Sequence, residues 1–91
     1  MKRIYKYELA AVSPQTIWLP EGAQILTAQG QHGRNVCLWA LVDPERPEEK
    51  RSFEIFGTGE AVNDNSIKRN YIGTAQLEGG QLVFHVFERL I

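Results

Sequence analysis

The sequence predicts a mainly β protein: a small antiparallel sandwich or barrel-like sheet of up to seven strands, with at most one short helical turn. Three observations carry this expectation. Val36-Cys37-Leu38-Trp39-Ala40-Leu41-Val42 is an unbroken apolar run closed by Asp43-Pro44. It is short for a helix and has no solvent face, so it reads as an interior strand buried on both sides. The segments around it alternate apolar and polar residues with the period of a half-buried strand. Gly, Pro, Asn and Asp punctuate the chain between them, as turns require.

Taken in order, Ile4–Leu9 alternates loosely, with Tyr5, Tyr7 and Leu9 on one side and Lys6 and Glu8 suited to a wet face or an edge. Ser13-Pro14-Gln15 turns the chain. Thr16–Leu19 is a short strand ended by Pro20, which has no amide hydrogen for a ladder, and Glu21-Gly22 permits a reversal. Ala23–Gln29 alternates Ala23, Ile25 and Thr27 against Gln24, Leu26 and Ala28. The glycine-bearing loop Gly30–Asn35 then joins it to the central strand as a hairpin. Asp43–Glu49, with Pro44 and Pro47 and dense charge, is a solvated connection. Arg51–Phe56 is a strand expected to pair with the other side of the central one, since sequential strands commonly pair.

Gly57-Thr58-Gly59 ends that strand. Glu60–Asn70 is the longest stretch without periodicity, with a helical turn conceivable around Ser66–Arg69. Tyr71–Leu77 is a strand whose internal Gly73 signals a bulge or a close backbone approach. Glu78-Gly79-Gly80-Gln81 has the form of a two-residue hairpin turn. Leu82–Phe87 closes the domain with apolar groups on both faces, Leu82, Phe84 and Val86 against Val83, His85 and Phe87, and Leu90-Ile91 follow.

A chain of 91 residues makes one domain, 1–91, able to bury one modest core. The net charge of −1 argues against a dominant electrostatic grip on nucleic acid or an anionic membrane. No segment is apolar and long enough to span a bilayer. Cys37 is the single cysteine, so no disulfide within the chain can form. Among apolar neighbours it is a small buried hydrophobe rather than a reactive thiol, and this composition fits a reducing cytoplasm.

Few residues invite chemistry. His85, flanked by Val83, Phe84, Val86 and Phe87, is expected to be a largely buried neutral histidine held by hydrogen bonds; a general base would also need a pocket and an orienting group. His32 sits exposed in its glycine loop. Two separate histidines, without cysteine or carboxylate at ligand spacing, point away from zinc, and no cofactor is implied. Gly57-Thr58-Gly59 lacks the lysine and helix start of a phosphate loop, although its amides could form a small anion nest. Trp39 belongs to the core, whereas Trp18 beside Pro20 suits an exposed rim. No basic cluster lies between the two tryptophans, so there is no strong nucleic-acid signal.

Leu19–Ala23 (LPEGA), Leu38–Pro44 (LWALVDP), Gly57–Gly59 (GTG), Tyr71–Thr74 (YIGT) and Leu82–Glu88 (LVFHVFE) together resemble, in order and spacing, a family of small proteins encoded by phages, prophages and their bacterial hosts, a domain of unknown function. Members often carry a histidine just after the Gly-Thr-Gly, where this chain has Glu60. The resemblance implies a phage accessory setting and supplies no activity.

Two function classes follow. The first is a non-enzymatic binding protein that sequesters an anionic or nucleotide signalling molecule in counter-defence, in the host cytoplasm. Its expected contacts are Arg51, Gly57, Thr58, Gly59, Tyr71, Thr74 and His85: a guanidinium, a glycine turn, an aromatic ring and polar side chains. The second is a small hydrolase or lyase using His85 with Glu88 or Asp43. A protein–protein adaptor acting on a host protein is a third possibility. The apolar closing strand, with Tyr5, Tyr7 and Trp18 near edges, predicts a homodimer whose interface includes part of Leu82–Ile91.

Overall fold

In the computed structural model, which describes residues 1–63 and 66–90, the chain forms two packed antiparallel sheets. Asp64 and Asn65 of the long Glu60–Asn70 stretch, and Ile91 of the closing apolar segment, lie outside the described residues. The strands are β1 (Arg3–Leu9), β2 (Gln15–Pro20), β3 (Gln24–Gln31), β4 (Asn35–Val42), β5 (Glu48–Gly57), β6 (Arg69–Leu77) and β7 (Leu82–Arg89). One sheet has the order β1-β4-β3, the other β2-β5-β7-β6. The only helical turn among the described residues is a 3-10 turn over Glu78–Gly80. Residues 66–69 form no helical turn, and Arg69 already begins β6.

The apolar run is the interior strand of the three-stranded sheet. Val36, Leu38, Ala40 and Val42 face the other sheet and are buried, with Leu38 wholly so. Cys37 is buried on the outer face, where Trp39 and Leu41 are only half-buried, so burial of this strand is complete on one side only. Its second neighbour is β1 rather than β5: Tyr5, Tyr7 and Leu9 lie opposite Ala40, Leu38 and Val36. β5 instead joins the second sheet between β2 and β7. The Pro-bearing 43–47 connection turns away from a hairpin and is fastened to the turn after β2 by the Glu21 amide donating to the Pro47 carbonyl.

The core packs Leu38, Ala28 and Val42 of one sheet against Phe53, Leu19 and Val86 of the other. At one margin the sheets nearly touch, β3 against β6. A Cβ on Gly73 would lie 2.7 Å from the Ala28 carbonyl oxygen, and one on Gly30 would lie 2.7 Å from the Gln76 carbonyl oxygen. Both positions require glycine on steric grounds. Gly73 also adjoins a bulge: β6 shifts register between Tyr71 and Gly73 against β7, as β3 does between Ile25 and Thr27 against β4. The β3 bulge sets Ile25 and Ala28, three residues apart, on the core side, whereas simple alternation would separate them. The β6–β7 connection is longer than a two-residue turn. Leu77 pairs with Leu82 around residues 78–81, and the Glu78 amide donates to the Gly33 carbonyl of the neighbouring hairpin.

Candidate functional site

Strand alternation decides which face of the four-stranded sheet each residue occupies. On β5, Phe53 is wholly buried, so Arg51 shares its inner face while Glu54 and Phe56 point outward. On β7, Val86 is in the core, so Glu88 is inner while His85 and Phe87 are outer. On β6 the bulge at Ile72 changes the parity. Tyr71 pairs with Phe87 and Thr74 with His85, so two residues three apart share the outer face.

The outer face therefore gathers Tyr71, Thr74, His85 and Thr58. The Tyr71 hydroxyl hydrogen-bonds Thr74 Oγ1. Thr74 Oγ1 lies 3.2 Å from His85 Nδ1, and Thr58 Oγ1 lies 2.8 Å from His85 Nε2. Both nitrogens of His85 are engaged by hydroxyls, which can donate or accept to suit either tautomer. His85 is half-buried on this face rather than a core residue; hydrogen bonds hold it as expected, but its flanking apolar residues split between the two faces. Phe87 packs edge-on against both Tyr71 and Phe56, with ring centroids 5.5 and 5.9 Å apart. Tyr71 remains 59% exposed.

Beside this line lies a charged group. Arg69 Nε donates to Glu54 Oε1 at 2.6 Å, Arg89 Nε lies 3.5 Å from Glu54 Oε2, and Arg69 also donates to the Asn63 carbonyl. The Arg69 guanidinium sits over the Phe56 ring at 5.6 Å, within cation–π range. Sequence reasoning passed over Glu54, Phe56, Phe87 and Arg89. Their i, i+2 spacing on β5 and β7 was the available signal. Trp18 is exposed as expected, at the outer side of β2, with the Lys50 ammonium 5.7 Å from its ring.

The Gly57-Thr58-Gly59 turn does not present a free anion nest. The Gly57 amide donates to the Glu60 carboxylate, the Thr58 amide to the Val83 carbonyl and the Glu60 amide to the Gly57 carbonyl. The chain's own Glu60 side chain occupies the place an external anion would take. Thr58 joins the site through its hydroxyl instead.

Arg51 is separated from these residues. On the inner face it donates from Nε and Nη2 to both oxygens of Glu88, at 2.6 and 2.8 Å, and from Nη1 to the Ala23 carbonyl. The bond to Glu88 holds its guanidinium still more firmly protonated, against the opposing effect of burial. Arg51 and Glu88 line a cleft of about 340 Å³ between the sheets, bordered by Gln24, Asn70 and Tyr71. Tyr71 thus stands at the rim between two regions, and Arg51 and His85 lie on opposite faces of the sheet. Asp43 lies at the end of the connection after β4, where it caps the Glu45 amide, and Glu88 faces away from His85 across the sheet.

Among the described residues, no three of His, Cys, Asp and Glu come together as a metal-holding group. No helix among them is long and apolar enough to cross a membrane. No curated protein and no solved structure matches the chain. A family model for a domain of unknown function, DUF7352, matches residues 1–90, and the chain belongs to that family.

Proposed function

We propose that this protein is a non-enzymatic binding module for a small nucleotide-like anion, and that the outer face of the four-stranded sheet is its contact surface. The observation that carries this reading is the hydroxyl–imidazole line from Thr58 through His85 and Thr74 to Tyr71. It offers donors and acceptors in a row beside an exposed aromatic ring. That combination suits the polar edge and flat face of a heteroaromatic base. Arg89, ion-paired at 3.5 Å and partly open to solvent, supplies positive charge toward an acidic group on the ligand.

The geometry argues against a hydrolase or lyase that pairs His85 with Glu88 or Asp43. Both His85 nitrogens are held by hydroxyls, and the carboxylates named as partners, Glu88 and Asp43, lie elsewhere. A base working with either carboxylate would need it within hydrogen-bond reach. The phage accessory setting, with sequestration of a signalling molecule in the host cytoplasm, rests on the motif resemblance. The homodimer is proposed with it. β7 is interior to its sheet, so a two-fold contact including this strand would form through its outer face at Phe87 and not by edge pairing.

Incubation with a nucleotide panel, followed by denaturation and recovery of the ligand, tests the proposal. Unchanged ligand held by the wild type and lost by Tyr71→Ala supports binding. Chemically altered ligand establishes catalysis instead. No retention of any nucleotide, together with capture of a host protein through the same face, establishes an adaptor. Light scattering at micromolar concentration tests the dimer: a monomer mass unchanged on dilution removes it.

A further inference from the structure

A wide opening lies away from the outer face, at the end of the sandwich where β1 leads into β2. It is a cleft of about 680 Å³ whose floor includes Leu9, Val36, Ile55, Leu77 and Phe84. Binding sites for small molecules are commonly clefts of roughly 300–1,000 Å³, mostly apolar with a few placed polar groups. Ile55 and Phe84 belong to the inner rows that pack on the core, yet both remain half-exposed here. Val12 and Leu82, 58% and 46% exposed, continue the apolar surface at the mouth. The interior is open at this end.

The wall is already built. Gln15 folds the 10–13 segment onto itself: its Nε2 donates to the Ala10 and Val12 carbonyls at 2.8 and 2.7 Å, and its Oε1 accepts from the Ala10 amide at 3.0 Å. Ser13 Oγ accepts from the Ile55 amide at 3.0 Å, which fastens this wall to the floor. A pocket with fixed walls loses little freedom when it is filled.

Charge at the mouth sets the ligand's polarity. Glu8, Arg34 and Glu60 border the cleft. Glu8 pairs with Cys37 while Leu9 and Val36 point into the core, so the Glu8 carboxylate lies on the far face of its sheet. Glu60 Oε1 accepts from the Gly57 amide at 2.9 Å. The exposed Arg34 guanidinium has no ion-pair or hydrogen-bond partner among the described residues. We propose that this cleft binds an amphipathic anion, its apolar body against Ile55, Leu77 and Phe84 and its acidic head at Arg34. The site is separate from the outer face and stands whether or not that face binds a nucleotide.

Isothermal titration with decanoate, decanol and decyltrimethylammonium tests it, using the full chain and variants at the exposed rim, where folding is undisturbed. Decanoate binds at one per chain and more tightly than the other two. Arg34→Glu weakens decanoate by about tenfold or more and leaves decanol unchanged, whereas Arg34→Lys retains most of the affinity. Val12→Asp weakens decanoate and decanol alike. Absence of saturable decanoate binding, preference for the cationic amphiphile, or indifference to both Arg34→Glu and Val12→Asp overturns the proposal. So does a ligand-free dimer that Val12→Asp dissociates, since a second copy of the chain would then fill the cleft.

Discussion

Glu88 and Glu54 are the buried carboxylates among the described residues, and they lie on opposite faces of the same sheet. Glu88 is covered by the opposing sheet. Its partner Arg51 also holds the Ala23 carbonyl at the entrance to β3, so the pair bridges the two layers. Glu54 is covered by arginines on its own face, Arg69 and Arg89, and Arg69 in turn holds the Asn63 carbonyl of the β5–β6 connection. The inner pair clamps sheet to sheet, and the outer group clamps a connection down beside the candidate site. The inner face of this sheet packs on the core, and the outer face carries the hydroxyl–imidazole line proposed as a contact surface.

The largest effects belong to the two buried carboxylates and the core they flank. Glu88→Ala leaves the Arg51 guanidinium buried and unpaired, and denaturant unfolding is expected to show a loss of about 3–5 kcal/mol. Leu38→Ala, in the facing layer, is expected to cost about 2–5 kcal/mol through the cavity it leaves. If Glu88→Ala unfolds at the wild-type midpoint, the clamp assignment fails. Glu54→Ala should cost a similar amount, about 3–5 kcal/mol, because it leaves the Arg69 guanidinium, at 9% exposed more deeply buried than Arg51 at 19%, without its carboxylate. A much smaller loss at Glu54 than at Glu88 would show that the outer group is more solvated than its burial implies.

Gly73→Ala probes the margin where the sheets meet. A methyl group 2.7 Å from the Ala28 carbonyl oxygen must push β3 and β6 apart, at a cost of about 1–3 kcal/mol. A wild-type melting temperature for this variant would show that the margin opens freely. His85→Ala sharpens the comparison from the other side. Stability should change by about 1 kcal/mol or less, since the residue is half in solvent, whereas under the proposed function retention of a nucleotide falls by about tenfold or more. A variant that unfolds while the ligand affinity of its folded fraction is unchanged would move His85 from the contact surface to the scaffold.

The smallest effect concerns Cys37. Burial pushes its thiol up from the ordinary range, nearby Lys6 lowers it in part, and Glu8 adds to the rise. Its thiolate is therefore scarcer in the folded than in the unfolded chain near pH 8. Disulfide-exchange labelling should be slow at that pH and rise to the rate of a free thiol only in denaturant. The sign of the linkage follows: the contribution is intact below the unfolded thiol's pKa, and stability declines as pH rises above it, because only the unfolded chain then releases the proton readily. Rapid labelling of the native protein at pH 8 would contradict this placement.

Much of the fold was legible in the chain itself. Alternation and turn residues located every strand to within a few residues, the apolar run marked the interior strand of its sheet, and Gly73 announced both its bulge and its close neighbour. These signals are local: they depend on which side chains point the same way along one segment and on where a backbone can turn. Three features were decided only by the tertiary structure. β5 joins the second sheet instead of pairing with β4, because partner choice depends on how both layers close over the core. The bulge at Ile72 reverses parity and brings Tyr71 to Thr74 and His85, which an unbroken strand would have placed on opposite faces. Arg51, which suited an anion site when read alone, faces inward beside Glu88, thirty-seven residues away. Strand identity follows from period-two patterning within a segment, whereas register, bulges and buried charge partners depend on contacts between segments far apart in the chain.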